Sequence, residues 1–371
     1  MRILYTIAGL YRPAGMERIL TDKVNYLADK GYDIIIVTTE QKGRPCAFPL
    51  LPQIRHLDLG VGYEDNNGSS LWDKLVHFPA KQRKHRKSLT QVLLKEHPDT
   101  VISLFCGDER FLYRMKDGSR KVLEVHFSRL KRIQYGRRGL WSIVDRWRSI
   151  RDLKLVRRYD YFVCLTNEDF GYWGHPANGR VIPNFLNHIP QEPSPLSAKT
   201  VLSVGRYDYQ KGYDRLIRAW ASIPDKGGWT LRLVGNGPLR QDLQRLSELL
   251  CVGESVIVDE PQSDMAAVYR NASIFTLSSH YEGLPMVLLE AQSYGLPIVS
   301  FNCKCGPRDV IADGEDGYLV PEGDIPCLAA RIAKLMADSR LREEMGEKAR
   351  AKAPQWDKET IMRQWIQLLR E

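Results

Sequence analysis

The sequence predicts an α/β protein of two doubly wound parallel domains facing each other across a cleft, and three observations lead there. Short apolar runs rich in β-branched residues alternate with longer amphipathic runs along almost the whole chain. The alternation breaks once, between residues 184 and 198, where Pro190, Pro193 and Pro195 crowd together and no periodicity survives, and then it restarts. The length of 371 residues exceeds one typical domain and suits two of roughly 180.

Taken in order, strands are expected at 3–8, 34–38, 54–59, 100–105, 122–126 and 161–166, with helices at 16–30, 71–96 and 140–157. Beyond the proline-rich join, strands are expected at 200–204, 231–234, 255–258, 274–277 and 298–301, with helices between them. The last stretch of about 45 residues is helical in pattern and has no strand of its own, so it can pack back across the junction. The resulting division is a first domain over 1–185, a linker over 186–198, a second domain over 199–355 and a returning helix over 356–371. In such sheets ligands bind beyond the carboxyl ends of the strands, where the strand order reverses, which puts the active site in the cleft.

Composition sets limits. Hydrophobic residues make up 43% of the chain and charged residues 27%, as in an ordinary globular protein able to build cores. No run of about 18 apolar residues exists, so no membrane span is expected. The first ten residues, interrupted by Tyr5 and Thr6 and followed at once by Arg12 and Pro13, suit a parallel strand better than a signal peptide. Seven scattered cysteines without a C-x-x-C pair suit a reducing compartment, and Cys303 with Cys305 offers too few ligands for structural zinc. The net charge of +9 is uneven: residues 1–190 carry +12 and residues 191–371 carry −3. Residues 81–87 form one basic cluster; residues 129–158 form another, with eleven Lys and Arg against Asp145 and Asp152 alone. Nucleic acid, an anionic lipid surface or a phosphorylated substrate would each suit that excess.

Three constellations carry chemistry. In Ala8-Gly9-Leu10-Tyr11-Arg12-Pro13-Ala14-Gly15, Gly15 stands just before the first helix, where backbone can approach a phosphate; an ordinary βα turn is the plainer alternative. In Val204-Gly205-Arg206-Tyr207-Asp208-Tyr209-Gln210-Lys211-Gly212, Arg206 leaves a strand end and Lys211 opens the next helix, an arrangement suited to a diphosphate. In Ser278-Ser279-His280-Tyr281-Glu282-Gly283-Leu284-Pro285-Met286-Val287-Leu288-Leu289-Glu290, an apolar strand ends in a loop that feeds a helix N-terminus, with Pro285 expected as its first residue. Glu282 and Glu290 lie eight residues apart, about 12 Å if wholly helical. That separation suits one carboxylate on a sugar hydroxyl and the other on a ribose diol. Glu290 also interrupts an apolar run, where an unpaired carboxylate is costly.

Read together, these segments resemble the retaining glycosyltransferases of family 4. SSHYEGLPMVLLEAQSYGLPIV resembles their E-x7-E signature and SVGRYDYQKGYDRLI their arginine–lysine diphosphate clamp. AGMERILTDKVNYLADKGYDIIIVTT resembles their N-terminal glycine loop, and RVIPNFLNH their interdomain element. The likeness is strong over 200–320 and looser over 40–160. It implies a GT-B fold of two Rossmann-like domains and transfer of a hexosyl group with retention from a nucleotide diphosphate sugar, a UDP-sugar being favoured. It implies no resident metal or other cofactor. The acceptor would be a glycan or a lipid-diphosphate-linked glycan of cell-surface polysaccharide synthesis. By position Arg206 and Lys211 would hold the diphosphate, Glu290 the ribose, and Glu282 with the backbone of Gly283 and Leu284 the transferred sugar, with Pro285 and Met286 also in the donor site. Gly15 would bring a backbone N–H toward the β-phosphate, and His126 would stand beside the anomeric centre. Two departures are visible: Ala14-Gly15 replaces a frequent double glycine, and Cys305-Gly306-Pro307-Arg308-Asp309 replaces a Gly-Gly and glutamate loop, making Arg308 a candidate donor or acceptor contact.

No carboxylate stands out as a nucleophile for a covalent intermediate, so front-face attack is expected, with the leaving diphosphate accepting the acceptor's proton. A GT-B enzyme of other chemistry, such as a sugar-nucleotide epimerase, is the nearest alternative. A basic nucleic-acid binder is a remoter one, since no recognisable binding motif accompanies the charge and nucleic acid is not expected as a partner. The segment around 140–157, with Trp141, Ile143, Val144, Trp147 and Ile150 among Arg137, Arg138, Arg146 and Arg148, reads either as a core helix with a charged outer face or as a helix lying on an anionic membrane. The expected location is the cytoplasm, peripheral at the inner face of the membrane.

Overall fold

The computed structural model describes residues 1–66, 71–131 and 140–371. Of the basic stretch, residues 132–139, with Arg137 and Arg138, lie outside the described residues, as does the side chain of Trp141.

Strands β1 (Arg2–Ile7), β2 (Asp33–Thr38), β3 (Arg55–Asp58), β4 (Thr100–Ser103), β5 (Arg120–Glu124), β6 (Tyr161–Cys164) and β7 (Gly179–Val181) form one parallel sheet in the order β3-β2-β1-β4-β5-β6-β7. Strands β8 (Thr200–Val204), β9 (Thr230–Val234), β10 (Val256–Asp259), β11 (Ile274–Leu277), β12 (Ile298–Phe301) and β13 (Gly317–Val320) form a second, in the order β10-β9-β8-β11-β12-β13. The order reverses between β1 and β4 in the first sheet and between β8 and β11 in the second. The strands beside these reversals are buried on both faces, which is why they read as unbroken apolar runs. The expectation missed β7 and β13. Each is an edge strand of three or four residues beginning at glycine, Gly179-Arg180-Val181 and Gly317-Tyr318-Leu319-Val320, too short to show a period.

Helices cover both faces of the first sheet. On one side α1 (Gly15–Asp29) packs through Leu20, Val24 and Leu27. On the other, α2 (Leu71–Glu96) packs through Leu89 and Leu93, and α3 (Leu140–Val156) through Leu155 and Val156. Short α4 (Asn167–Tyr172) follows β6, with Thr166 capping it by accepting from Asp169 N. Around the second sheet lie α5 (Tyr213–Ser222), α6 (Arg240–Leu249), α7 (Met265–Arg270), α8 (Met286–Ser293), α9 (Pro307–Val310), α10 (Ile325–Ala337) and α11 (Ser339–Lys352). The chain then returns: α12 (Lys358–Arg370) buries Ile361, Met362, Trp365, Leu368 and Leu369 against the same face of the first sheet as α1. Asp357 starts this helix by accepting from Glu359 N and Thr360 N. The returning strand of chain runs beside the linker, where Leu186 N donates to Trp356 O at 2.8 Å. Leu165 and Leu186 join Trp356 and the α8 leucines in one apolar cluster that spans the junction.

Candidate active site

Adjacency of β8 and β11 brings their following loops together at the reversal point of the second sheet. Three hydrogen bonds stitch them: His280 N to Gln210 O (2.8 Å), Ser278 Oγ to Lys211 O (2.9 Å) and Arg215 Nη2 to Ser278 O (2.6 Å). Gly212, at φ +59°, makes this possible, since a Cβ there would come within 2.4 Å of Ser278 O. The stitching aims Lys211 at Glu282: Lys211 Nζ donates to Glu282 Oε1 at 2.7 Å, and Ser279 Oγ donates to the same oxygen at 2.6 Å. The two side chains are only 13% and 7% exposed, so the ion pair is shielded from water. Gln210 Nε2 donates to Tyr281 O at 3.0 Å and reaches Glu282 Oε2 at 3.5 Å, completing the carboxylate's shell.

The residues expected to hold the sugar follow at once. Helix α8 begins at Met286, with Pro285 at its N-cap rather than inside its first turn, so Glu282 is outside the helix and the 12 Å helical spacing to Glu290 does not apply. Loop 302–306 runs alongside: Glu282 N donates to Lys304 O at 2.9 Å, and Gly306 packs so tightly that a Cβ would stand 2.8 Å from Gly283 O. Among the described residues the N–H groups of Gly283 and Leu284 meet no protein acceptor, and they stand in the loop just before the N-cap Pro285 of α8, an arrangement suited to an anion or a sugar oxygen. Glu290, half-buried on α8, accepts from Tyr269 OH at 2.5 Å, and Tyr269 stacks on Tyr294. The cost of a carboxylate in an apolar run is thus offset by a tyrosine that the sequence reading overlooked. Arg206 stands outside the shielded cluster, 71% exposed and bridged to Asp208 at 3.1 Å.

The facing wall comes from the first sheet. Strand β5 ends at Glu124, two residues short of expectation, and His126 lies just beyond it. A Cβ on Gly283 would fall 2.8 Å from His126 O, so here the two domains meet backbone to backbone. The His126 ring meets Glu124 Oε1 through Nε2 at 2.7 Å. That same oxygen accepts from Lys23 Nζ of α1, a lysine 2% exposed that sits 3.7 Å from the Trp365 ring centroid of α12. Burial alone would raise the Glu124 carboxyl, but Lys23 and His126 overcome it and hold it down to about 2. Glu17, in the first turn of α1 and within electrostatic reach of His126, has its carboxyl raised by burial. Gly15 opens α1, exposed, with nothing within 4 Å of a Cβ position, so its glycine answers to no protein contact.

The remaining expected residue, Arg308, is exposed on α9. Its neighbours, not singled out in the sequence, make the contacts across the cleft. Asp309 accepts from Asn167 N at 2.7 Å and Glu168 N at 3.3 Å, the N-terminus of α4 in the other domain. Cys305 Sγ lies 3.2 Å from Ser128 Oγ and 3.3 Å from Asp169 Oδ1, and burial pushes its thiol up. A second overlooked feature is Gly235-Asn236-Gly237 after β9. Cβ atoms on Gly235 and Gly237 would fall 1.9 Å from Gly205 O and 2.4 Å from Tyr207 O. Paired glycines just after two neighbouring strand ends were the available signal.

Two parallel sheets with reversal-point loops facing one another define the GT-B architecture, and solved structures of that class cover the chain almost completely. The apo lipopolysaccharide outer core galactosyltransferase WaaB matches with a TM-score of 0.76 at 20% identity, covering 98% of each chain. Sucrose-phosphate synthase from Thermosynechococcus elongatus matches with a TM-score of 0.81 at 20% identity, covering 100% of this chain and 98% of that one. More narrowly, residues 184–352 match the family model of glycosyl transferases group 1. The amylovoran biosynthesis glycosyltransferase AmsD of Erwinia amylovora is 35% identical over 169 residues, 46% of this chain and 47% of that one. The lipopolysaccharide core biosynthesis glycosyltransferase LpsE of Rhizobium meliloti is 34% identical over 228 residues, 58% of this chain and 66% of that one. The chain thus spans about half to two thirds of the length of these curated relatives.

Proposed function

We propose that the protein is a retaining family 4 glycosyltransferase that moves a hexosyl group from a nucleotide diphosphate sugar, UDP-sugar favoured, to a glycan or lipid-diphosphate-linked acceptor in cell-surface polysaccharide synthesis. The observation that supports this most is the shielded Lys211–Glu282 pair beside the N–H groups of Gly283 and Leu284. One cation, one carboxylate and one helix N-terminus converge at the reversal point of a sheet whose residues match group 1 glycosyl transferases. The names of AmsD and LpsE, both of polysaccharide assembly, support the acceptor class.

In this reading the incoming diphosphate draws Lys211 away from Glu282. The freed carboxylate then accepts from hydroxyls of the transferred sugar, and Arg206 swings from Asp208 to the phosphates. Glu290 meets the ribose. His126, its ring fixed by Glu124, borders the anomeric carbon. The bond from that carbon to the β-phosphate oxygen breaks as the acceptor oxygen bonds on the same face. The acceptor's proton passes to the leaving diphosphate, whose growing charge Lys211, Arg206 and the Gly15 N–H stabilise. No described helix is long and apolar enough to cross a membrane, and a lipid-linked acceptor would be met by peripheral contact with the cytoplasmic leaflet.

The test is release of nucleoside diphosphate from a panel of UDP-, GDP- and ADP-sugars, with and without a glycan acceptor. Acceptor-dependent release with an α-anomeric product from an α-linked donor is expected, and Glu282→Ala should lower it at least about 100-fold. Interconversion of the nucleotide sugar without acceptor would replace this reading by the epimerase one.

A further inference from the structure

Helix α3 carries two apolar faces. The inner one packs on the first sheet through Leu155 and Val156. The outer one exposes Ile143 (64%), Trp147 (60%) and Ile150 (55%). Spaced four and three residues apart, these three lie along one stripe of an α-helix. Single exposed apolar residues are ordinary, but three large ones aligned on one helix form a patch that wants a partner.

Charge on the same helix is sorted by face. Both of its acids are turned inward, Asp145 3% and Asp152 7% exposed, whereas Arg146 and Lys154 lie exposed on the outside. Helix α2, on the same face of the sheet, exposes Arg83, Lys84, Arg86 and Lys87 and the ring of Phe78. The outer surface of this layer is therefore an apolar stripe in a cationic field. Negative charge and apolar depth together are what such a surface complements, and an anionic bilayer supplies both. Position fits as well. Helix α3 joins the cleft end of β5, near His126, to the opposite end of β6, and its 17 residues span about 25 Å, so its first turns lie toward the cleft.

We propose that the outer faces of α3 and α2 dock the protein on an anionic phospholipid surface, with Ile143, Trp147 and Ile150 entering the headgroup layer and Arg146 and Lys154 meeting lipid phosphates. This deepens the lipid-linked acceptor reading and names its membrane contact, yet it is measured without turnover.

The experiment is co-sedimentation of the full chain with phosphatidylcholine vesicles holding 30% phosphatidylglycerol, and with pure phosphatidylcholine vesicles, at low and high salt. Wild type should bind the anionic vesicles, bind the neutral ones weakly, and release at high salt. Ile143→Ser/Trp147→Ser/Ile150→Ser should reduce partitioning roughly tenfold or more. Arg146→Gln/Lys154→Gln should reduce it about 25-fold, from about fivefold per cation. Both variants should keep the wild-type melting temperature, UDP-induced stabilisation and turnover of a water-soluble acceptor, since these side chains stand in solvent on the outer face of α3 and none belongs to the Lys211–Glu282 site. Equal binding by wild type and both variants, or no binding by wild type, overturns the proposal. So does a wild-type dimer that the triple substitution splits without changing vesicle binding, because a second copy would then cover the stripe. Vesicle binding without transfer from any nucleotide sugar would sink the enzymatic reading while leaving the docking surface standing.

Discussion

The Lys211–Glu282 pair makes a prediction that runs against the usual effect of removing a binding-site residue. If Lys211 must leave Glu282 to reach a diphosphate, the carboxylate competes with the ligand for the same cation. A charge-assisted hydrogen bond of this kind is worth about 1.5–3 kcal/mol, and both side chains are shielded enough for it to count. Glu282→Gln weakens that hold while leaving Ser279 its acceptor, since the amide oxygen keeps the place of Oε1, and only the long 3.5 Å contact of Gln210 with Oε2 is given up. Relieving about 1.4 kcal/mol of competition should tighten binding of free UDP about tenfold. Transfer should nevertheless fall by about 100-fold or more, because the sugar loses its carboxylate acceptor. The ligand-free variant should also melt a few degrees lower, with Lys211 left 13% exposed and without a counter-charge, and UDP should recover more than the difference. Isothermal titration with UDP, alongside thermal unfolding with and without it, reads all of this. UDP affinity equal to or below that of wild type would refute the competition.

Three further substitutions probe the opposite wall and the contacts between walls. Glu124, raised by burial but held down to about 2 by Lys23 and His126, contributes stability that is present above the ordinary carboxylate range and is lost as pH falls from about 4.5 toward 2. Glu124→Gln should therefore flatten the acid limb of a urea-unfolding series. It should also cost about 3–5 kcal/mol at pH 7 by stranding buried Lys23, much of it returned by adding Lys23→Met. An unchanged acid limb would mean that Glu124 is not held as a carboxylate. Gly283→Ala places a methyl 2.8 Å from His126 O, so the walls must part, and turnover should drop roughly tenfold with only a few degrees' change in melting temperature. Full activity would show that this approach is not needed for transfer. Asp309→Ala removes the acceptor for Asn167 N and Glu168 N, about 1 kcal/mol, and should speed hydrogen exchange over Asn167–Tyr172. Unaltered exchange there would dismiss Asp309 as a latch.

What the sequence revealed follows from how local each signal is. Central strands such as β1 and β11 are buried on both faces, so their apolar runs are visible; β7 and β13 are three or four residues long and open on glycine, so they leave no such run, whereas the edge strands β3 and β10 were expected. Lys211 and Glu282 were legible because charges at strand ends beside glycines are unusual locally, although the sequence did not say that the two touch. The Lys23–Glu124–His126 chain was illegible as a unit, since its first two members are 101 residues apart. A trace did exist: Glu124 interrupts an apolar strand and Lys23 faces inward on an amphipathic helix. Two charges at inward positions call for each other, because neither can be buried alone. The loop of Cys305 and Asp309 stood out as a departure, but their contacts left no trace, as the partners lie 136 to 177 residues away and are mostly backbone or small polar groups.

These contacts bear on how the cleft is held. Across the site itself the walls share the approach of Gly283 to His126, the Cys305 contacts and the Asp309 cap, each small and polar. The apolar part of the junction lies with Leu165, Leu186 and Trp356, where linker and returning chain run side by side. Apolar burial is non-directional and tolerates small rotations, whereas hydrogen bonds of defined geometry do not. The junction can therefore act as a hinge while the polar contacts set the closed position. In the proposed reading, a diphosphate that pulls Lys211 off Glu282 would free the carboxylate beside Gly283 as the sugar arrives against His126. Ligand contacts would then add to the polar contacts between the walls in holding the cleft shut.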